Sequence, residues 1–188
     1  LACLRAAHPV ADYIAVNISS PNTKGLRDLQ TEEAMRRLLD VLSQDQQRLA
    51  QVSGRRVPML VKIAPDLTEE CIDDLARVFN EIGVDGVIAT NTTIERSAVQ
   101  GHPLAAEAGG LSGEPVLRRS SEVLAAFRGR LREEIPLIGV GGVLSGADAA
   151  EKRRLGAELV QVYSGLVYRG PALIRDCTQA LLQNPASE

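Results

Sequence analysis

The sequence predicts an α/β protein built on a parallel sheet, and more specifically part of a (β/α)8 barrel of the TIM type. Five short apolar runs alternate along the chain with segments of helical periodicity, which is the pattern of the α/β class. The runs are almost continuously apolar, as expected for strands that helices bury on both faces. The distance between successive runs leaves room for a crossover helix each time.

The first elements are a helical end at residues 1–7 and a strand at residues 12–18. No capping residue precedes the helical end, and the chain does not begin with Met. A helix normally starts with such a capping signal. We therefore expect the chain to begin inside a larger domain.

Two helices with clear end signals enclose the second strand. Residues 31–53 place apolar side chains at helical spacing, and Gly54 ends the pattern. A short apolar run at 57–65 predicts a strand. Residues 68–82 repeat the helical spacing and end at Gly83. This order of helix, strand and helix fits successive βα units.

The second half of the chain continues the alternation after a long loop. Residues 92–114 are rich in Gly, Ala and Ser, and a loop of this length within a compact domain is usually functional or disordered. The remaining predicted elements are strands at 86–91, 136–142 and 159–165 and helices at 120–134, 146–155 and 171–182.

Glycines at the ends of the last two strands favour a barrel over an open doubly wound sheet. The strands end in Gly141-Gly142 and Ser164-Gly165. Barrels commonly build a phosphate site after strands 7 and 8, where backbone N–H groups at a helix start bind the anion. We therefore expect this chain to supply about strands 4 to 8 with their helices, and strands 1 to 3 to lie upstream.

Composition excludes several classes of function. The 188 residues carry a net charge of -3, and aromatic residues make up 3% with no Trp, which argues against a nucleic-acid partner. The three cysteines are scattered without metal or redox spacing. Because His8 and His102, the two histidines, are far apart in sequence, no metal site is predicted.

Polar residues gather at one end of all five predicted strands. In a barrel, the carboxyl ends of the strands carry the active site. The coincidence across five strands therefore predicts a functional site at this edge. The residues concerned are Asn17, Lys62, Thr90, Asn91, Gly141, Gly142, Tyr163 and Ser164.

Lys62 and Ser20 are the candidates for chemistry. Apolar residues flank Lys62 on both sides, so its ammonium needs a partner or a depressed pKa. It could be a Schiff-base nucleophile, the partner of a buried anion, or a member of a structural ion pair. Ser20 could act as a base or nucleophile, but no histidine lies nearby in sequence to activate it.

Six short motifs lie in order along nearly the whole chain. They are VNISSPNT at 16–23, VKIAP at 61–65, TNTT at 90–93, GGLSG at 109–113, IGVGG at 138–142 and QVYS at 161–164. Together they resemble the dihydroorotate dehydrogenase family, and more closely its quinone-dependent class. A serine, rather than a cysteine, at position 20 indicates that class.

The resemblance implies a role for each matching residue. Ser20 matches the catalytic base that takes the proton from C5 of dihydroorotate. Lys62 matches the lysine beside the pyrimidine ring of the flavin, which agrees with the anion-partner interpretation. Substrate contacts are implied for Asn17, Asn22, Asn91 and Thr92, and cofactor contacts for Asn17, Lys62, Thr90, Gly113, Gly142, Tyr163 and Ser164.

The resemblance also implies a cofactor, a reaction and a location. The cofactor would be FMN, the reaction the oxidation of dihydroorotate to orotate in pyrimidine biosynthesis, and the electron acceptor a membrane quinone. Residues 1–188 would form the C-terminal portion of a single FMN-binding barrel, without its first strands and its membrane-associating helices. The enzyme would lie peripherally on the cytoplasmic face of a bacterial inner membrane and would need the missing N-terminal segment.

Two rival interpretations stand beside this one. The first is a barrel lyase in which Lys62 forms a Schiff base with a carbonyl substrate. The second is an inactive truncated fragment that binds flavin weakly or not at all. Flavin content separates both rivals from the dehydrogenase.

Overall fold

A computed structural model describes residues 1–23 and 25–183 as one parallel sheet with helices packed against it. The strands are β1 (Ile14–Asn17), β2 (Met59–Ile63), β3 (Val87–Ala89), β4 (Leu137–Val140) and β5 (Leu159–Gln161). The helices are α1 (Ala2–Ala7), α2 (Glu32–Ser53), α3 (Glu69–Ile82), α4 (Leu117–Arg128), α5 (Gly146–Arg154), α6 (Ser164–Arg169) and α7 (Ala172–Gln183).

Sheet order distinguishes between the two architectures that the sequence allowed. All neighbouring strands are parallel, and they lie side by side in the order β1-β2-β3-β4-β5. In a doubly wound sheet, the order in which successive strands are added reverses at a switch point, while the strands stay parallel. Consecutive order without a reversal is that of a barrel, so the predicted barrel class agrees with the topology.

Local sequence signals explain the ends of the long helices. Gly54 and Gly83 follow α2 and α3 with left-handed backbone, and each donates its N–H to the carbonyl four residues earlier. Thr68 caps α3 by accepting a hydrogen bond from the Cys71 N–H. Ser145 caps α5 in the same way, through the Asp148 N–H.

The main core lies between the sheet and helices α2, α3 and α4. Val61 and Ile63 on β2 point into it and are fully buried. The rings of Phe79 on α3 and Phe127 on α4 stack with their centroids 6.1 Å apart. Because side chains alternate along a strand, the opposite face of β2 carries Leu60 and Lys62.

That opposite face holds a smaller apolar cluster of Leu60, Ile88 and Ile138. In a closed barrel this face is the interior, which layers of side chains fill. The two edge strands, β1 and β5, each pair on one side within this chain.

The structure corrects the bounds of two predicted elements and adds one helix. Helix α4 runs from Leu117 to Arg128, earlier than the predicted 120–134. Strand β5 ends at Gln161, so the predicted strand at 159–165 is too long. Ser164 instead begins the six-residue helix α6, which the sequence analysis missed. Within the described residues, no helix combines the length and apolarity that crossing a bilayer requires.

Candidate functional site

A cavity of about 340 Å³ opens at the carboxyl ends of β2 to β5, a size within the usual range of ligand pockets. Its wall comes from all four strand ends and from the long loop before α4. The lining residues include Lys62, Thr90, Asn91, Thr92, Ser112, Gly113, Gly141, Gly142, Gln161, Tyr163 and Ser164. Residues that the sequence placed at separate strand ends therefore share one wall.

The amides of Asn17, at the end of β1, and Asn91, just after β3, meet beside this cavity around a buried serine. The Ser19 hydroxyl donates to Asn17 Oδ1 at 3.0 Å, and Asn91 Nδ2 donates to Ser19 Oγ at 3.1 Å. Asn91 Nδ2 also lies 3.4 Å from Asn17 Oδ1. Ser19 is fully buried, so this network fixes how both amide groups are turned. Such oriented donors and acceptors suit a planar ligand with amide and carboxylate edges.

The turn that carries Ser20 packs against the long loop. The Asn22 N–H donates to Ser20 Oγ at 3.3 Å. A Cβ added at Gly109 would lie 3.3 Å from Asn22 Oδ1, and one at Gly110 would lie 3.2 Å from Pro21 Cγ. Ser20 and Asn22 are thus close to the loop that also supplies the cavity wall, although they do not line the cavity themselves.

Lys62 is a half-buried cation in the wall of the cavity. Burial lowers the pKa of its ammonium, and no carboxylate of the residues described forms an ion pair with it. The structural ion-pair interpretation therefore finds no partner in that part of the chain. A lysine with a depressed pKa and an open neighbouring space suits either a bound anion or a nucleophilic amine.

Two glycines shape the far side of the cavity by close approach and unusual backbone. Gly142 has a φ of +77°, and a Cβ there would lie 2.4 Å from Leu117 Cβ. Gly113 has a φ of +82°, a region that favours glycine. The hydroxyls of Ser112 and Ser164 lie 2.8 Å apart. A wall of hydroxyls and glycine backbone suits an anionic group such as phosphate.

Comparison with known families agrees with these observations. A family model described as dihydroorotate dehydrogenase matches residues 1–184. The chain belongs to the dihydroorotate dehydrogenase family.

Relatives in this family are closely similar to the chain but much longer. The chain is 61% identical over 181 residues to the dihydroorotate dehydrogenase (quinone) of Stenotrophomonas maltophilia strain K279a, covering 96% of the chain and 52% of that relative. It is 60% identical over 179 residues to the enzyme of the same name from Xanthomonas axonopodis pv. citri, covering 95% and 51% respectively. The chain thus spans about half the length of these dihydroorotate dehydrogenase relatives.

Solved structures in the dihydroorotate dehydrogenase family share the fold. Ligand-free DHODH from Eimeria tenella superposes with a TM-score of 0.88 at 36% identity, covering 96% of this chain and 54% of that one. Its complex with ferulenol gives a TM-score of 0.87 at 35% identity, covering 96% and 52%. The barrel class predicted from the sequence is confirmed, with this chain forming part of the barrel.

Most residues that the sequence proposed for a dihydroorotate dehydrogenase site do come together. Lys62, Thr90, Asn91, Thr92, Gly113, Gly142, Tyr163 and Ser164 line the cavity. Asn17 joins them through its bond with Asn91. Their individual roles stay predictions.

Three further residues, Ser19, Ser112 and Gln161, contribute to the candidate site although the sequence assigned them no role. The sequence showed them only within motifs: Ser19 in VNISSPNT, Ser112 in GGLSG and Gln161 in QVYS. The period-two alternation after β1 carried a signal for Ser19, because it places Asn17 and Ser19 on one face.

Within the residues described, no group of three His, Cys, Asp or Glu side chains could hold a metal ion.

Proposed function

We propose that this chain forms the C-terminal portion of a single barrel domain in an FMN-dependent enzyme that oxidises (S)-dihydroorotate to orotate with a quinone as acceptor. Membership of the dihydroorotate dehydrogenase family supports the reaction. The observation that carries the site is the convergence on one cavity of three features: a cation that no described carboxylate pairs, oriented amides and a glycine-lined wall.

The residues present fit FMN by their chemistry. Gly113, Gly142 and the Ser112–Ser164 hydroxyl pair would hold the phosphate and ribityl chain, together with Tyr163. Thr90 and Asn17 would contact the flavin nearer the strand ends. When bound, the flavin would accept the hydride from the substrate, which is a step that no side chain can perform.

Lys62 would act as the electrostatic partner of the flavin pyrimidine ring. Its half-buried ammonium lies in a partly desolvated wall, where a charge interacts more strongly than in water. A negative charge that develops on the ring during the reaction would be stabilised by this cation.

Asn17, Asn22, Asn91 and Thr92 would hold the amide and carboxylate edges of dihydroorotate. Hydrogen bonds to Ser19 orient the side-chain amides of Asn17 and Asn91 before substrate binds. Little rearrangement of these two side chains is therefore needed on binding. Ser20 would then take the proton from C5 of the substrate.

The complete enzyme would deliver its electrons to a quinone dissolved in a membrane. We therefore place it peripherally on the cytoplasmic face of a bacterial inner membrane. The segment of its relatives that this chain does not match would supply the remaining strands and the membrane-associating helices.

The visible absorption spectrum of the purified full polypeptide tests this proposal. We expect a flavin band that bleaches when dihydroorotate is added without oxygen. Ser20→Ala should keep the band and slow the bleaching about 100-fold or more, the usual effect of removing a general base. A protein without flavin, or a flavin band that dihydroorotate never bleaches, would overturn the proposal. Borohydride trapping of a carbonyl substrate on Lys62 would instead support the lyase.

A further inference from the structure

The side chain of Lys152 on α5 carries an ammonium group into the interior of the protein. Lys152 is 0% exposed, and no carboxylate of the residues described forms an ion pair with it. Its Nζ donates to Ser120 Oγ at 2.6 Å. A buried charge without a counter-ion is costly, so its presence here needs an explanation beyond packing.

A chain of hydrogen bonds connects this ammonium to the wall of the candidate flavin site. Ser120 Oγ donates toward the Gly141 carbonyl, 3.1 Å away, and toward that of Leu117, 3.0 Å away. Gly141 and Gly142 both line the cavity. Two consecutive hydrogen bonds, through Ser120, therefore connect Lys152 to the turn that follows β4.

Packing holds the lysine tightly against this turn. A Cβ added at Gly139 would lie 3.1 Å from Lys152 Cβ, and one added at Gly141 would lie 2.8 Å from Ser120 Oγ. The stem of Lys152 thus occupies the space that a side chain at position 139 would fill. The lysine stem and Ser120 are therefore packed directly against Gly139 and Gly141.

We propose that Lys152 is a positioning residue for the phosphate group of the cofactor, holding the Gly141–Gly142 turn through Ser120 and giving that turn a positive charge. The inference rests on the proposed function, because the phosphate belongs to FMN. An anion bound at the turn would supply a counter-charge for the buried ammonium. Burial lowers the pKa of Lys152 to about 8, and a nearby phosphate would favour its charged form.

Comparison of FMN with riboflavin, which lacks the phosphate, tests this role in the flavin-free full polypeptide. For Lys152→Met we expect FMN to bind about tenfold or more weakly, as for the loss of an interaction with a charged group. Riboflavin affinity should change by less than about twofold, within the scatter of a neutral contact. The unfolding temperature of the flavin-free protein should not fall, because Met removes an uncompensated charge.

Arg153→Met is the matched control. It removes one positive charge from the same helix, but its guanidinium donates to the Ala157 carbonyl, so the preference for FMN over riboflavin should stay unchanged. If Lys152→Met fails to fold, Lys152→Gln keeps a donor for Ser120 without the charge and should give the same selective loss of FMN.

Each remaining outcome separates this inference from the proposed function. Wild-type protein that binds FMN, with Lys152 variants that bind it equally well, overturns the role of Lys152 alone. Equal losses of FMN and riboflavin, with a lower unfolding temperature, show a purely structural lysine and also overturn it. Wild-type protein that binds neither flavin overturns the proposed function and this inference together.

Discussion

At the scale of single residues, the site depends on polar groups that other polar groups hold in place. Asn17 and Asn91 would contact substrate, but Ser19 decides how their amides are turned. Lys62 and Lys152 are both cations in partly or fully desolvated positions, and burial lowers the pKa of each. In both cases a bound anion would supply the charge partner that the described protein residues do not.

Replacement of Ser19 tests the amide network. In Ser19→Ala the two amides lose their shared partner, so we expect orotate to bind about tenfold more weakly, the cost of about one hydrogen bond left unmade in a buried site. Flavin content should stay unchanged. Orotate titration of the flavin spectrum measures this. Ser53→Ala is the control, because the exposed Ser53 hydroxyl donates to the Arg55 carbonyl just after the end of α2. Equal losses of orotate affinity in both variants would contradict the prediction.

The titration of Lys152 predicts a pH dependence of stability. Burial lowers its pKa from 10.5 to about 8, while Asp148 and Glu151 on the same helix oppose the shift. Between these pH values the unfolded chain binds more protons than the folded protein, so stability without flavin rises as the pH increases through this window. The gain is at most about 3 kcal/mol.

Urea unfolding of wild-type protein and Lys152→Met from pH 7 to 11 measures this rise. The variant should be more stable near pH 7, and the difference should shrink toward pH 10.5. Subtraction of the two curves removes the contributions of other groups that titrate in this range. One of them is the Cys177 thiol, because burial raises its pKa. A difference that stays constant with pH would contradict the prediction.

At the scale of elements, each strand delivers functional groups because its carboxyl end stops at the same edge. Caps and terminal glycines decide where the helices behind the strands begin and end. Thr31 and Thr68 both precede a helix with acidic residues in its first turn. Only Thr68 accepts a hydrogen bond from the first turn; Thr31 Oγ1 lies 3.3 Å from the Asp28 carbonyl instead.

This difference predicts unequal effects of the two matching substitutions. Thr68→Ala should lower the free energy of unfolding by about 1 kcal/mol, the usual contribution of a side-chain cap. Thr31→Ala, the natural control, should cost only a few tenths of a kcal/mol, as for a surface change. Urea denaturation measures both, and equal losses would show that the cap of α3 has no special part in stability.

At the scale of the whole molecule, the sheet has two edges and an apolar inner face. A second cavity of about 390 Å³, lined in part by Tyr13, Leu60, Ile138 and Leu159, opens on that face near the start of the strands. Leu159 on edge strand β5 is 63% exposed. Open edges and apolar faces promote association between chains.

We therefore expect residues 1–188, produced alone, to associate in solution. Sedimentation velocity should show species larger than one chain, and Leu159→Lys should shift the distribution toward the monomer because a charge blocks the edge. Val52→Lys is the control, since Val52 is 78% exposed on helix α2 rather than on an edge strand. A wild-type chain that sediments as a stable monomer would contradict this expectation.

The sequence alone determined the class of fold and the strand ends that carry the site. Apolar runs, helical spacing and terminal glycines are local signals, since each depends on residues a few positions apart. The six motifs indicated the family that the comparison then showed. The predicted bounds of α4 and β5 were wrong and α6 was missed, because tertiary context overrides local preference in short segments.

Only the tertiary structure decided which polar groups meet. Lys152 lies within a predicted helix, and its three-residue spacing from buried Ala149 puts both on one helix face, but no motif marked it as functional. Its partner Ser120 lies 32 positions away, Ser112 and Ser164 are 52 apart, and Asn17 and Asn91 are 74 apart. Such pairs form because parallel strands bring distant segments to one edge, which no local pattern encodes.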